Sequence, residues 1–381
     1  MVEIKNKEHC NGCSSCAASC PKKCITMVRD KLGFFYPMVD KDACVHCGLC
    51  ISVCPEQKKA QPVTVTPLAY AAIGKEHTIR EKSSSGGVFT LIAQWILSKG
   101  GVVFGAAFDD TAHSVNHIAI ESLEELHKLQ GSKYLQSKIG NSFEKVKSYL
   151  EQGRTVLFSG TPCQIAGLKS FLKKDYERLY LQDIACHGVP APAVWDAYLT
   201  DLEHQFGGKA SRVSFRDKRK SWKKYLLRIE FENGNVYSNN NAEDLYMRGF
   251  LHDCYLRPSC YACKHKGLGR DSDITLADYW GIEQIHPELD DDQGTSLVIV
   301  SSPKGEELLQ QIADEISLTP TDLNRAIEYN TALITAAKDN PARKKFENEF
   351  QKKPLRSLLK KYASTSFFKK LKRKIKRFLK L

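Results

Sequence analysis

Residues 10–21, "CNGCSSCAASCP", place four cysteines within eleven positions and close on a proline. The spacing, C-x2-C-x2-C-x3-C-P, recurs as "CVHCGLCISVCP" at 44–55. Disulfides, zinc and iron–sulfur clusters are the chemistries that crowd thiols in this way. Zinc sites usually pair two C-x2-C knuckles across a longer loop. A third cysteine at the same spacing, twice over, fits two [4Fe–4S] clusters better. In that arrangement the fourth cysteine of each run serves the other run's cluster. The expected ligand sets are Cys10, Cys13, Cys16 and Cys54 for the first cluster, and Cys44, Cys47, Cys50 and Cys20 for the second. Cys24 has no slot in this pattern and reads as a small buried residue.

The rest of the composition is that of an ordinary soluble protein. Of 381 residues, 42% are hydrophobic and 26% charged. No apolar run approaches the ~20 residues of a membrane-spanning helix. The opening "MVEIKNKEHC" has no apolar core of a secretory signal, so the expected location is cytoplasmic. In a reducing compartment clustered cysteines are more often metal ligands than disulfides. The net charge of +12 is uneven, because "FFKKLKRKIKRFLKL" at the end holds eight Lys or Arg and no acid. There Phe367, Phe368, Leu371, Ile375, Phe378 and Leu379 fall at helical spacing among the basic residues. That pattern suits a helix lying on an anionic membrane surface, here the inner face of the cytoplasmic membrane. A basic tail alone is poor evidence for nucleic acid, which is not expected as a partner.

Four segments are expected: a two-cluster module at 1–57, a proline-containing linker at 58–80, a mixed α/β domain at 81–335, and a helical basic tail at 336–381. In the α/β domain "GVFTLIAQWILSKG" reads as a helix stopped by Gly100 and "GVVFGAAF" as a buried strand. "SFEKVKSYLEQG" is an amphipathic helix and "TVLFSG" another buried strand. Their alternation predicts a mixed or parallel sheet covered by helices. Asn233-Gly234, inside "KKYLLRIEFENGNVYS", signals a hairpin. The fold class is α/β (α+β), behind a module similar to the bacterial two-cluster ferredoxins.

The other cysteines stand in specific settings: "SGTPCQIAGL" (159–168), "DIACHG" (183–188) and "CYLRPSCYACKHKGLGRDSDITLADYWG" (254–281). With "SSSGGVFT" (83–90), "GSKYLQS" (131–137), "FRDKRKSW" (215–222) and "GTSLVIV" (294–300), they resemble the β-subunit family of coenzyme F420 hydrogenases and dehydrogenases. The resemblance spans about residues 70–300. It implies a flavin, usually FAD, and a third [4Fe–4S] cluster held by Cys163, Cys186, Cys260 and Cys263, with Cys254 as spare or as replacement for Cys186. A half zinc site at 260–263 is the alternative. The implied flavin contacts are Ser84, Ser85, Gly86 and Gly87; Gly131, Ser132, Lys133, Tyr134, Gln136 and Ser137; and Gly160, Thr161, Pro162 and Gln164.

Hydroxyls and glycines opening a helix expose N–H groups that favour phosphate, although a Ser/Gly run is also an ordinary helix cap. "SGTPCQ" follows a buried strand and should sit at its carboxyl end, where ligands bind in open α/β sheets. Lys133 can offset negative charge. His187 can donate a proton or simply bond backbone. Arg216 and Lys218, with Lys133, suit an anionic substrate or a solvated face. Asp278 and Trp280 match a family motif. The expected activity is an F420-dependent or ferredoxin-dependent oxidoreductase that couples one-electron transfer to hydride chemistry. Its redox partner would be ferredoxin, F420, a glycan-pathway intermediate or a partner subunit. The competing readings are a non-catalytic electron-transfer subunit, as in a polysaccharide-biosynthesis complex, and a binding protein with structural clusters.

Overall fold

The structure, a computed structural model, describes residues 1–58 and 66–363. The first segment is built around its cysteines. Two short helices, Ser15–Ala18 and Leu49–Ser52, start inside the two cysteine runs. Each follows a left-handed residue, Ser14 (φ 68°) or Gly48 (φ 76°), which turns the chain sharply. Between them lies an antiparallel hairpin of β1 (Ile25–Arg29) and β2 (Phe35–Val39), pairing Ile25 with Val39. Its small interior is Cys20, Cys24, Ile25 and Cys50, too little apolar surface for independent stability.

The remaining strands are β3 (Leu68–Gly74), β4 (Val102–Phe108), β5 (Val115–Ile120), β6 (Ser137–Lys138), β7 (Val156–Gly160), β8 (Leu179–Ile184), β9 (Ala210–Asp217), β10 (Leu226–Phe231), β11 (Val236–Asn240), β12 (Ile274–Asp278), β13 (Ser296–Val300) and β14 (Ile316–Pro320). Nine form one mixed sheet in the order β14-β3-β13-β12-β8-β7-β4-β5-β6. Its centre, β12-β8-β7-β4, is parallel. Alternation sorts the side chains onto two faces. Val103 and Leu157 pack under helix Val88–Ser98, while Val102, Phe104, Val156 and Phe158 face helices Ser142–Glu151 and Pro162–Leu172. A second sheet, β11-β10-β9, carries the Asn233-Gly234 turn, with Gly234 at φ 82°. Helix Pro192–Phe206 covers it through Trp195 and Tyr198.

Two expected boundaries are corrected. The stretch 58–80 is not only a linker: β3 lies inside the main sheet between β13 and β14, with Ala71 and Ala72 buried. The prolines ahead of "LAYAAIG" signal the break, and the apolar run after them needs a buried place in the sheet. Likewise 336–381 is not all tail. Helices Arg343–Glu349 and Leu355–Tyr362 pack Phe346, Leu358 and Leu359 into the cluster that holds Trp195 and Tyr246. The basic amphipathic segment with Phe367 to Leu379 lies outside the described residues. Among those described, no helix is long and apolar enough to cross a membrane.

Phe346 is fully enclosed and stacks near Tyr255 at 5.3 Å between ring centroids. Phe346→Ala should therefore cost roughly 3–5 kcal/mol, seen as a lower urea midpoint; a surface segment would show almost none.

Candidate functional site

The fourteen cysteines are sorted by the fold into three quartets and two others. Cys10, Cys13, Cys16 and Cys54 form the first. Burial pushes the Cys13 thiol up to about 12, and the nearby Cys10 and Cys54 push it the same way. Burial also raises Cys16, followed by repulsion from Cys13, Cys10 and Cys54. Cys20, Cys44, Cys47 and Cys50 line one small cavity. Cys24 lines it too, with its sulfur 3.4 Å from that of Cys20. Cys163, Cys186, Cys260 and Cys263 line another small cavity, that of the third quartet. Burial raises Cys163, and Cys186, Cys263 and Cys260 add to the shift. Cys254 lies apart, 1% exposed, donating its thiol to the Tyr362 carbonyl at 3.4 Å. Among the described residues no three His, Cys, Asp or Glu converge on a point that would hold a single metal ion. The second and third quartets each line a cavity.

The third quartet sits where three elements end. Cys163 is the second residue of helix Pro162–Leu172, directly after β7. A capping box starts that helix: the Thr161 N–H donates to Gln164 Oε1 at 2.9 Å. The Thr161 hydroxyl lies 3.2 Å from the Cys163 sulfur. Cys186 follows β8, and its carbonyl accepts from Lys266 Nζ. Cys260 belongs to the helical turn Pro258–Tyr261, and its sulfur accepts from the Val189 N–H at 3.4 Å. Behind them Arg270 and Asp183, both enclosed, pair at 3.1 Å.

The cysteine-rich module docks against this place. A Cβ on Gly167 would come within 2.7 Å of Cys13 Cβ, so only glycine lets the helix approach the first quartet. The Ser15 hydroxyl donates to the Gly167 carbonyl at 2.8 Å. Asn11 donates to Glu56 Oε1 at 3.1 Å, and His265 contacts the same oxygen at 3.0 Å. Arg257, Asn11, Glu56 and His265 were not singled out from sequence. Only the adjacency of Arg257 and His265 to Cys260 and Cys263 hinted at them.

The residues expected at a flavin fall into two connected groups. Ser84 and Ser132 share a hydrogen bond of 2.9 Å, Trp222 Nε1 donates to Ser84 O, and Lys218 Nζ donates to Ser85 O at 3.0 Å. Gly86 is packed rather than open: its N–H donates to Ser296 Oγ, and a Cβ there would meet Ala72 O. Gly87 caps helix Val88–Ser98 at φ 93°, and Gly131 turns at φ 79°. Arg216 Nη1 reaches Asp278 Oδ2 at 2.5 Å and the Tyr134 hydroxyl at 3.4 Å, with the guanidinium over the Tyr225 and Trp280 rings. Its Nε and Nη2 are buried without a hydrogen-bond partner among the described residues. The second group adjoins the cysteines: Gln164 Nε2 donates to Ser137 Oγ at 2.9 Å, beside Gly160, Thr161 and Pro162, while Gln136 Nε2 donates to Asn11 O at 3.1 Å. His187 lines the third cavity and pairs with Asp253 at 2.7 Å.

Lys133 donates to the Lys128 and Gln130 carbonyls at 3.0 and 2.9 Å, and burial lowers it to about 7. The unfolded chain thus holds a proton that the folded chain releases between pH ~7 and ~10.5. Its own contribution to stability should rise with pH across that window, while the thiols raised by burial oppose it above pH ~8.5. The difference in urea midpoint between the native chain and Lys133→Met should therefore shift in favour of the native chain from pH 7 to 8.5 and 10.

Three family models match this chain. Residues 9–58 match a 4Fe-4S dicluster domain. Residues 69–143 match the coenzyme F420 hydrogenase/dehydrogenase beta subunit N-terminal model, and 153–325 the C-terminal model of that subunit. No curated protein matches in sequence. Among solved structures, a chain of the F420-reducing [NiFe] hydrogenase complex from Methanosarcina barkeri is similar in fold, with TM-score 0.50 and 15% identity, over 77% of this chain and 95% of that one. The two halves of one subunit model, in order on one α/β domain behind a dicluster module, leave a plain conclusion: the chain belongs to the coenzyme F420 hydrogenase/dehydrogenase beta-subunit family, an iron–sulfur electron-transfer family of oxidoreductase type.

Proposed function

We propose that this chain is an iron–sulfur flavoprotein oxidoreductase with three [4Fe–4S] sites. The ligand sets are Cys10, Cys13, Cys16 and Cys54; Cys44, Cys47, Cys50 and Cys20; and Cys163, Cys186, Cys260 and Cys263. The observation that carries this reading is the sorting itself. The members of each quartet are brought together by the fold, and burial with mutual repulsion raises Cys13, Cys16, Cys163 and Cys260, which favours a cationic core among them. A third cysteine at C-x2-C-x2-C spacing, twice over, suits multi-iron cores better than zinc in the first two sets. Cys254, turned toward Tyr362, is left out of the third set.

The flavin is proposed on the groups around Ser84, Ser132, Lys218 and Arg216. Two buried Arg216 nitrogens, Nε and Nη2, without partners among the described residues favour an anionic or carbonyl-bearing ligand there. A bound flavin trades electrons singly with iron and in pairs, as hydride, with an organic carrier. The chain's own part is to bind, orient and exclude water. Thr161 and Gln164 fix the Cys163 turn, Tyr134 and Trp280 bracket Arg216, and His187 holds a proton on Nε2 against Asp253. F420 or a ferredoxin is the proposed redox partner, and the Methanosarcina barkeri complex supports docking onto a partner subunit. A glycan-pathway intermediate is the remaining substrate class to assay.

Anaerobically purified protein should hold about twelve iron and as many acid-labile sulfides, four per site, with a flavin spectrum. Cys163→Ala and Cys186→Ala should each lose about a third of the iron, while Cys254→Ala should keep it all. Zinc in place of iron would overturn the assignment. Reduction of F420 or ferredoxin by the isolated chain separates an enzyme from a passive electron-transfer subunit.

A further inference from the structure

Arg257 precedes Cys260 by three residues, in "RPSC", and is 1% exposed. Its guanidinium spans the junction between the first and third quartets. Nε donates to the Cys10 carbonyl at 2.8 Å, Nη2 to the Phe35 carbonyl at 2.8 Å, and Nη1 to Gln136 Oε1 at 2.9 Å. Nη2 also stands 3.6 Å from the Cys10 sulfur. The plane lies over the Tyr36 ring at 4.4 Å and the Phe34 ring at 5.4 Å. At the other end, the Arg257 carbonyl accepts from the Cys260 N–H at 2.9 Å, and the residue lines the third cavity. A Cβ on Gly12 would meet Nη1 at 2.9 Å, so the first cysteine loop is moulded onto this side chain.

Its polar contacts are two carbonyls, one side-chain amide oxygen and one thiol; among the described residues no carboxylate pairs with it. A buried cation without an anion is costly. The thiolates of the two quartets are the charges in reach. Cys10 is touched directly, and Cys260 feels the guanidinium charge. We propose that Arg257 is a positioning residue for electron transfer: its guanidinium is the counter-charge of the Cys10 cluster, and its backbone hold on Cys260 sets the gap from that cluster to the third one. This rests on the reading of both quartets as cluster ligands. Each electron received adds one negative charge, and a buried cation with a hydrogen bond near a ligating sulfur makes that addition easier. Lysine cannot substitute fully, because three oxygen acceptors at fixed angles need the planar fork.

The test uses the full chain, purified without oxygen, as native, R257K, R257Q and Q136L proteins. Iron and sulfide are counted first, and each protein is then titrated reductively with detection by electron paramagnetic resonance. In R257Q one midpoint should move furthest to a more negative potential, a second should move less in the same direction, and the remaining one should stay; R257K should lie between R257Q and native. Q136L keeps the charge and frees Nη1 together with the Asn11 carbonyl, so its shift should be the smallest. If R257Q fails to load iron, R257K and Q136L decide. Native midpoints in either of these, at full iron, overturn the proposal. Native protein without iron would instead sink the cluster reading beneath it.

Discussion

Charge repulsion among gathered thiols is the constraint on which the rest of this structure depends. Four sulfurs brought together in a partly dry space resist ionisation, and they do so more strongly as each neighbour ionises. Cys13, Cys163 and Cys260 all show it, with burial as the larger cause. A chain that gathers such groups must either leave them neutral or supply positive charge at their centre and rim. Arg257, Lys266 and Arg270 stand at the rim of the third quartet, and none is solvated freely. The module and the large domain therefore meet over charged, buried groups as well as across an apolar seam.

That meeting explains why the small module is ordered at all. Its own interior is little more than cysteines and Ile25. It borrows the rest from its neighbour: Leu32 and Phe34 join the cluster of Trp195, and Gly33 lies so close to Ala193 that any side chain would strike its amide. Gly167 plays the same part beside Cys13. Close backbone approach keeps the first and third quartets near one another, which suits movement of electrons between them.

The large domain was legible where pattern and period are strong. The helix stopped by Gly100, the buried strands "GVVFGAAF" and "TVLFSG", and the Asn233-Gly234 hairpin all stand where their residues indicate. The β3 strand and the last two helices were harder. Prolines near "LAYAAIG" masked a strand whose partners, β13 and β14, come more than two hundred residues later. Phe346, Leu358 and Leu359 fall inside the stretch expected as a basic tail, because their covering residues, such as Tyr255, are remote in sequence. Gly86 looked like an open phosphate donor, but its amide is taken by Ser296.

Sequence by itself determined the local chemistry: two C-x2-C-x2-C-x3-C-P runs, a cysteine after a buried strand, and turns at glycine. These depend on spacing within a few residues, and short-range geometry follows from them directly. Only the tertiary structure decided which distant thiols share a cavity, that Cys254 turns away from Cys186, and that Arg257 joins Cys10 to Cys260. Such contacts close loops of scores to hundreds of residues. Their selection comes from packing of the whole core, where burial makes each unmatched charge expensive and each close approach specific.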